Sequence, residues 1–388
     1  MSNFRKNAEI IRTFAVGVKT MRKMRVCRLR PGMVLAKAIY GADGQLLLNK
    51  GVELKGMYIA GLQRMDIQYV YVYDPLMEGV EDVQVVCEVT KYEAVKIMRN
   101  TFDGLKANGL DYGQLVDSGF FNTVEKLVEE VLANRDIVYN LDNIRFTDDY
   151  TFTHSVNVCI LSLLVASGLQ LSRSALKEVA VGALLHDVGK LWVDETILKK
   201  KGSLTPAEFD QIKRHPLFGF DILSEQDNIS ANSIKIALQH HERCDGSGYP
   251  YQLQKEEIHQ YSRLVMIVDV YDALTADRPY RKALPSFKAI ELIMSFKRAY
   301  DAEMLRTFLD HIAVYPLGTA LRLNNGDLGL VVKNHKGRPF QPVVRICKDG
   351  GGGYYDPPFD INLAETGHLF ITEILSEKER DRELPLEF

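Results

Sequence analysis

Ala180-Val181-Gly182-Ala183-Leu184-Leu185-His186-Asp187-Val188-Gly189-Lys190 runs six small or apolar residues directly into a histidine, an aspartate and, one helical turn past the histidine, a lysine. The apolar run predicts a helix whose end is carried into a core, taking His186 and Asp187 with it. Outward from this stretch the pattern recurs. His154 precedes it, and His215-Pro216, His240-His241-Glu242, Asp269 and Asp272 follow it. Of the nine histidines, five fall between residues 154 and 241. Apolar residues again stand just before His240 and Asp269, so their helix ends also point inward.

One histidine at such a place is ordinarily a satisfied core residue. Five histidines and two aspartates gathered into one helical domain require partners, because buried polar groups are unstable without them. A divalent transition metal with imidazole and carboxylate ligands draws on such side chains, and several helices must contribute because each supplies only one or two inward vectors. Adjacent His186 and Asp187 can serve two different metals, the carboxylate bridging them. Two metals about 3.5–4 Å apart suit in-line attack on phosphorus by a bridging hydroxide. Lys190 is placed to meet a phosphate oxygen; as a helix C-terminal cation it would also complement the dipole.

The rest of the chain narrows the class. With 388 residues, 46% apolar and 26% charged, disorder and collagen-like repeats are excluded and two or three globular domains are expected. Lys plus Arg number 48 and Asp plus Glu 51, a net charge of -3, which argues against a DNA or RNA polymer as partner. No run of about 18 uninterrupted apolar residues exists, so no transmembrane segment is expected. The nearest candidate, 156–171, carries Asn157, Ser162 and Ser167 and reads as a buried core helix. The N-terminus lacks the apolar core of a secretory signal, and a cytoplasmic location is expected. Five cysteines at wide spacings predict free thiols.

The expected architecture is α+β and multidomain: an all-α catalytic domain flanked by a small N-terminal β-containing domain and a C-terminal β-rich extension. Residues 1–25 read as a basic amphipathic helix, with Ile10, Phe14, Val18 and Met21 on one side. Residues 26–83 alternate short β-like runs with turns, as in Tyr69-Val70-Tyr71-Val72-Tyr73, and form a candidate regulatory domain. Residues 84–148 are a helical connector and a candidate homodimer interface, 149–312 the all-α domain, and 313–375 the β-rich extension. There Gly350–Gly353 and Pro357-Pro358 are expected as loops. Residues 376–388 mix both charges and read as a solvated tail.

The stretch His240-His241-Glu242-Arg243-Cys244-Asp245-Gly246-Ser247-Gly248-Tyr249-Pro250, followed by Asp269-Val270-Tyr271-Asp272-Ala273-Leu274-Thr275-Ala276-Asp277-Arg278-Pro279-Tyr280-Arg281, resembles the HD superfamily of metal-dependent phosphohydrolases. It is most similar to the HD-GYP subgroup, bacterial cyclic di-GMP phosphodiesterases, over residues 149–305. The resemblance implies an HD-type helical fold and metal ligation by His154, His186, Asp187, His215, His240, His241 and Asp269. Asp187 and Lys190 would be catalytic, with Lys190 also contacting the scissile phosphate. Gly248, Tyr249, Asp272, Arg278 and Arg281 would form the substrate-binding set, the arginines on phosphate; Asp272 could equally orient its neighbours. Some relatives with three metals have a glutamate where Tyr150 stands, so two divalent ions, iron or manganese, are expected. The implied reaction is hydrolysis of cyclic di-GMP to pGpG, with further cleavage to GMP left open. Other readings are a different cyclic dinucleotide, such as 3′,3′-cyclic GMP-AMP, and an adaptor acting through signalling-protein contacts.

Overall fold

The computed structural model describes residues 21–41, 45–65, 67–81, 83–107, 115–140, 150–200, 202–276 and 282–386. The chain divides into two compact units, one formed by residues 84–145 and 149–314, the other by residues 1–83, 146–148 and 315–388.

The second of these begins with β1 (Arg22–Arg25), β2 (Ile39–Tyr40), β3 (Leu46–Leu48), α1 (Gly56–Arg64) and β4 (Tyr69–Val72). β1 pairs antiparallel with β4 and β2 with β3. The expected N-terminal helix lies mostly outside the described residues. At its end, Arg22–Arg25 is a strand in which Arg22 and Met24 are buried and Lys23 and Arg25 are half-buried, a period of two that suits pairing with β4.

The helical unit contains α2 (Glu88–Ala107), α3 (Ser118–Ala133), α4 (Tyr150–Gly168), α5 (Arg173–Leu185), α6 (Glu195–Leu198), α7 (Pro206–Ile212), α8 (His215–Ser224), α9 (Ala231–Gln239), α10 (Gln260–Thr275), α11 (Ser286–Ser295) and α12 (Ala302–His311). Local chemistry sets their starts. Ser172, Ser230 and Asp301 accept backbone N–H groups at the beginnings of α5, α9 and α12, and Thr205 with Glu208 forms a capping box on α7. α4 is central, packing against α2, α3, α5, α10 and α12. Its residues 151–168 are long and apolar enough to cross a membrane, yet 72% of that window is buried within the protein. It is a core helix that also carries His154.

The chain then returns to the strand-containing unit as β5 (Ala320–Leu323), β6 (Leu328–Lys333), β7 (Val343–Lys348), β8 (Tyr354–Asn362) and β9 (Ile371–Ile374), an antiparallel sheet of order β8-β7-β6-β5-β9. The α+β arrangement expected from sequence is thus present: a helical domain flanked by N-terminal strands and a β-rich C-terminal extension. Pro357 and Pro358, expected in a loop, instead sit within β8. β8 is an edge strand, where proline's missing N–H leaves no ladder bond unmade on the open side.

Residues 376–388, expected as a solvated tail, include α13 (Glu377–Glu383), opened by a Ser376/Glu379 capping box. Leu384 is buried in a cluster with Met77, Val80, Leu328 and Leu330, and Leu386 packs against the core of the N-terminal strands. Arg380 donates to Asp74 at 3.0 Å, and Asp381 pairs with Arg22 and Arg28. Arg345 donates to the carbonyls of Leu76 and Glu78 at 3.2 and 2.6 Å. Residues of the N-terminal strands and of the C-terminal segment therefore pack together within this unit.

Candidate metal centre

The seven sequence-predicted ligands are carried on or just beyond five helices. His154 projects from the first turns of α4, and His186 ends α5, followed by Asp187 and a 3-10 turn over Val188–Trp192. His215 opens α8, His240 closes α9 with His241 beyond it, and Asp269 lies on α10. All are buried except half-buried His241. Gly189 explains how the turn reaches the centre: a Cβ there would lie 2.0 Å from the His215 carbonyl oxygen and 2.4 Å from the Gly219 nitrogen. Only glycine lets the Asp187–Lys190 turn press against α8 so closely.

The side chains form two groups whose ligand atoms lie within 4.8 Å of one another: Asp187, His215, His240 and His241 in one, His154, His186 and Asp269 in the other. Asp187 faces both. Its Oδ1 is 3.3 Å from His215 Nε2 and 3.8 Å from His240 Nε2, while its Oδ2 is 3.4 Å from His186 Nε2 and 3.9 Å from His154 Nε2. Consecutive residues His186 and Asp187 thus fall in different groups, with the carboxylate directed at each.

Hydrogen bonding fixes which nitrogens look inward. The Nδ1–H groups of His186, His215 and His240 donate to the carbonyls of Ala183, Ile212 and Ala237 at 2.7, 2.7 and 2.8 Å. Their Nε2 lone pairs therefore face the centre. His215 Nε2 and His240 Nε2 stand 3.1 Å apart, two acceptors with no proton between them. His186 Nε2 and Asp187 Oδ1 are buried without a hydrogen-bond partner. Converging lone pairs and a carboxylate oxygen, all removed from water, suit divalent cations and little else.

The electrostatics agree. Burial pushes His215 down to about 3 and His241 to about 4, and holds His240 well below its ordinary value, so these imidazoles are neutral ligands. Burial opposes ionisation of Asp187 and Asp269, but Lys190 and His186 around the first, and His154 and His241 around the second, outweigh it and keep both well below the usual carboxylate range. Burial likewise opposes charge on His154, yet hydrogen bonds to Asp269 and Asp272 push it up to about 9. His154 Nε2 lies 3.1 Å from Asp269 Oδ1.

Lys190 Nζ lies 2.5 Å from Asp187 Oδ2 and is partly exposed. Tyr249 is half-buried, its ring stacked on His241 at 4.7 Å and 26°. Gly248 is buried: a Cβ there would meet the Glu242 Cα and the Arg243 nitrogen, each at 2.4 Å, so its role is close backbone approach rather than ligand contact. Asp272, expected among the substrate-binding residues, stands behind His154 instead. Its Oδ2 accepts His154 Nδ1–H at 2.7 Å and its Oδ1 accepts the Asn157 amide at 3.1 Å. Both oxygens are thereby engaged away from the open side. Arg278, Arg281 and the neighbouring Asp277 lie outside the described residues, as do Asp148 and Asp149.

Two participants carried no assigned role in the sequence reading. Asn157 is one turn from His154, a spacing that signals a shared helix face. Glu242 directly follows the ligand pair, but its partners are backbone N–H groups, which leave no trace in sequence: it accepts Tyr251 N–H at 2.7 Å and Leu253 N–H at 2.9 Å.

A helical bundle enclosing paired histidine–aspartate groups defines the class to which this molecule belongs: proteins built to hold two neighbouring divalent ions among helix ends. Residues 138–304 match the HD domain family, and residues 320–383, which include α13, match the KOW domain associated with HD domains. The chain is 33% identical over 272 residues to a cyclic di-GMP phosphodiesterase of Pseudomonas aeruginosa, covering 70% of this chain and 64% of that protein. It is 38% identical over 192 residues to a cyclic di-GMP phosphodiesterase of Thermotoga maritima, covering 49% and 51%. A 3′3′-cGAMP-specific phosphodiesterase of Vibrio cholerae is 35% identical over 174 residues, covering 45% and 36%. The chain thus spans less than two-thirds of the length of each of these relatives. The helical unit thus carries an HD-domain match, and these relatives link it to the HD-GYP branch.

Proposed function

We propose that this chain is a metal-dependent phosphodiesterase that hydrolyses cyclic di-GMP to linear pGpG. The observation that carries the reading is Asp187, whose two oxygens face two separate ligand groups. His154, His186 and Asp269 would hold one ion and His215, His240 and His241 the other, with Asp187 shared. Two divalent ions there would supply Lewis acidity toward a phosphodiester and lower the pKa of water for attack. Mixed imidazole and carboxylate donors favour iron or manganese over metals that prefer thiolates.

The remaining chemistry belongs to the chain. Lys190, partly exposed beside Asp187, presents a positive charge to a non-bridging phosphate oxygen. Tyr249, held flat on His241, offers an aromatic wall to the ligand. Arg278 and Arg281 complete the phosphate contacts in this reading. Five free cysteines support a reducing, cytoplasmic setting.

Two of the three relatives described above are named for cyclic di-GMP, which favours that substrate; the third favours 3′,3′-cyclic GMP-AMP as a second reading. Metal quantification and product analysis on one preparation, with both substrates, test the proposal. Two ions per chain and faster release of pGpG than of the cGAMP product are expected. Full metal loading without hydrolysis of either substrate would overturn the enzymatic reading in favour of an adaptor.

A further inference from the structure

Glu242 is fully buried, follows the ligand pair His240-His241, and has no path to the metal centre through its own carboxylate, which points the other way. Both oxygens are spent on the loop that carries Tyr249. They accept the N–H groups of Tyr251 and Leu253, which flank Gln252 at φ 58. A left-handed residue between two N–H donors makes them converge, forming a concave backbone site for an anion. A non-glycine residue in that conformation is disfavoured, so it persists only where something holds it. Here the anion is Glu242, and charge-assisted bonds at 2.7 and 2.9 Å are of the strong kind.

The surrounding loop is closed by the same geometry. Gly248 presses against the Glu242 and Arg243 backbone, Tyr249 N–H donates to the His241 carbonyl at 3.1 Å, and the Tyr249 ring lies on the His241 ring. Glu242 sits at the point where the ligand-bearing strand of chain and the returning loop are tied together. We infer that Glu242 is a positioning residue that fixes the Tyr249 wall relative to the His240-His241 ligand pair, and thereby sets affinity for the nucleotide without itself touching metal or substrate. The inference deepens the phosphodiesterase reading and rests on it for the nature of the ligand.

Glu242→Gln and Glu242→Ala in the full chain test it. Gln retains the shape and one acceptor; Ala retains neither. Three measurements are made on each: hydrogen exchange at the Tyr251 and Leu253 amides, metal ions bound per chain, and KM and kcat with cyclic di-GMP. Exchange at both amides accelerates, more in Ala than in Gln, while metal content stays at the wild-type value. KM rises about tenfold in Ala, the loss expected from removing charge-assisted hydrogen bonds that order a binding wall, with kcat changing less. A merely structural role would lower the active fraction, hence kcat, and leave KM where it was. Unchanged KM in an active, metal-loaded variant overturns the inference, as does unaltered protection of the two amides. If Glu242→Ala does not fold, the Gln variant must still show the graded exchange and KM effect. A wild type inactive on every cyclic dinucleotide defeats the functional reading, while amide exchange in the variants still decides whether Glu242 holds the loop.

Discussion

Replacing Asp272 by Asn separates the two halves of the metal centre. Asp272 is 3% exposed, accepts His154 Nδ1–H at 2.7 Å and the Asn157 amide at 3.1 Å, and stands outside the Asp187, His215, His240 and His241 group. The carboxylate fixes the tautomer that leaves His154 Nε2 free to ligate and raises the basicity of that nitrogen. Asn keeps the volume but removes the charge, and its NH2 must face one of the two donors that the carboxylate accepted. Loss of such an orienting carboxylate weakens metal binding by about 10–100-fold, or about 1.4–2.7 kcal/mol. The assay is titration of metal-depleted protein with Mn(II) against a competing chromogenic chelator, which resolves two binding steps in the wild type. One step weakens by the stated factor and the other keeps its affinity. If both steps retain wild-type affinity, the hydrogen bond does not govern His154. If both weaken equally, the two groups do not act as separate sites.

Three further outcomes follow from the same geometry. Lys190→Met removes the cation 2.5 Å from Asp187 and lowers kcat by about 100-fold, the scale for losing one preorganised charge donor, with two metals still bound; steady-state kinetics alongside metal analysis check it. Gly189→Ala forces a Cβ against backbone atoms of His215 and Gly219, which cannot yield as a side-chain tip can. It destabilises the helical unit by about 1–3 kcal/mol or more, read as a lowered melting temperature from the fluorescence of Trp192, and an unshifted transition would refute the close approach. Arg380→Ala leaves Asp74, which is fully buried, without its cation, and should cost the strand-containing unit about 3–5 kcal/mol. Calorimetry should show that transition lowered while the helical one stays put.

Much of the helical unit could be read from sequence because its signals are local. Apolar periodicity leads into His186 and His240 at helix ends and into Asp269 within α10, and periodicity of this kind fixes both the helix and the face that carries the ligand. The two-group division was also legible, since adjacent residues on a helix end must point apart. What escaped the reading depends on partners far away or on backbone. Asp272 reads from sequence either as a substrate contact or as an orienting group, because nothing there says which side of α10 His154 occupies. Glu242 is anchored by N–H groups that every residue possesses. α13 reads as a charged tail until Arg380 meets Asp74, a residue 306 positions earlier. Its capping box and Leu384 were the available local signals. Strand β8 was hidden by its prolines, which an edge position tolerates.

The packing of residues 74–80 against the C-terminal extension orders the folding of this protein in time. Translation of residues 22–83 precedes that of residues 320–384, yet Met77, Val80 and Asp74 draw partners from the later stretch. The strands of residues 22–72 can assemble on their own core, and the helical unit can close by residue 314, while Asp74, Met77 and Val80 still wait. Cutting the gene after residue 314 would leave those residues with an exposed apolar face and a buried carboxylate laid open. A cut that keeps residues 84–314 together interrupts none of those pairings within the helical unit, and is the natural boundary for dissecting the molecule.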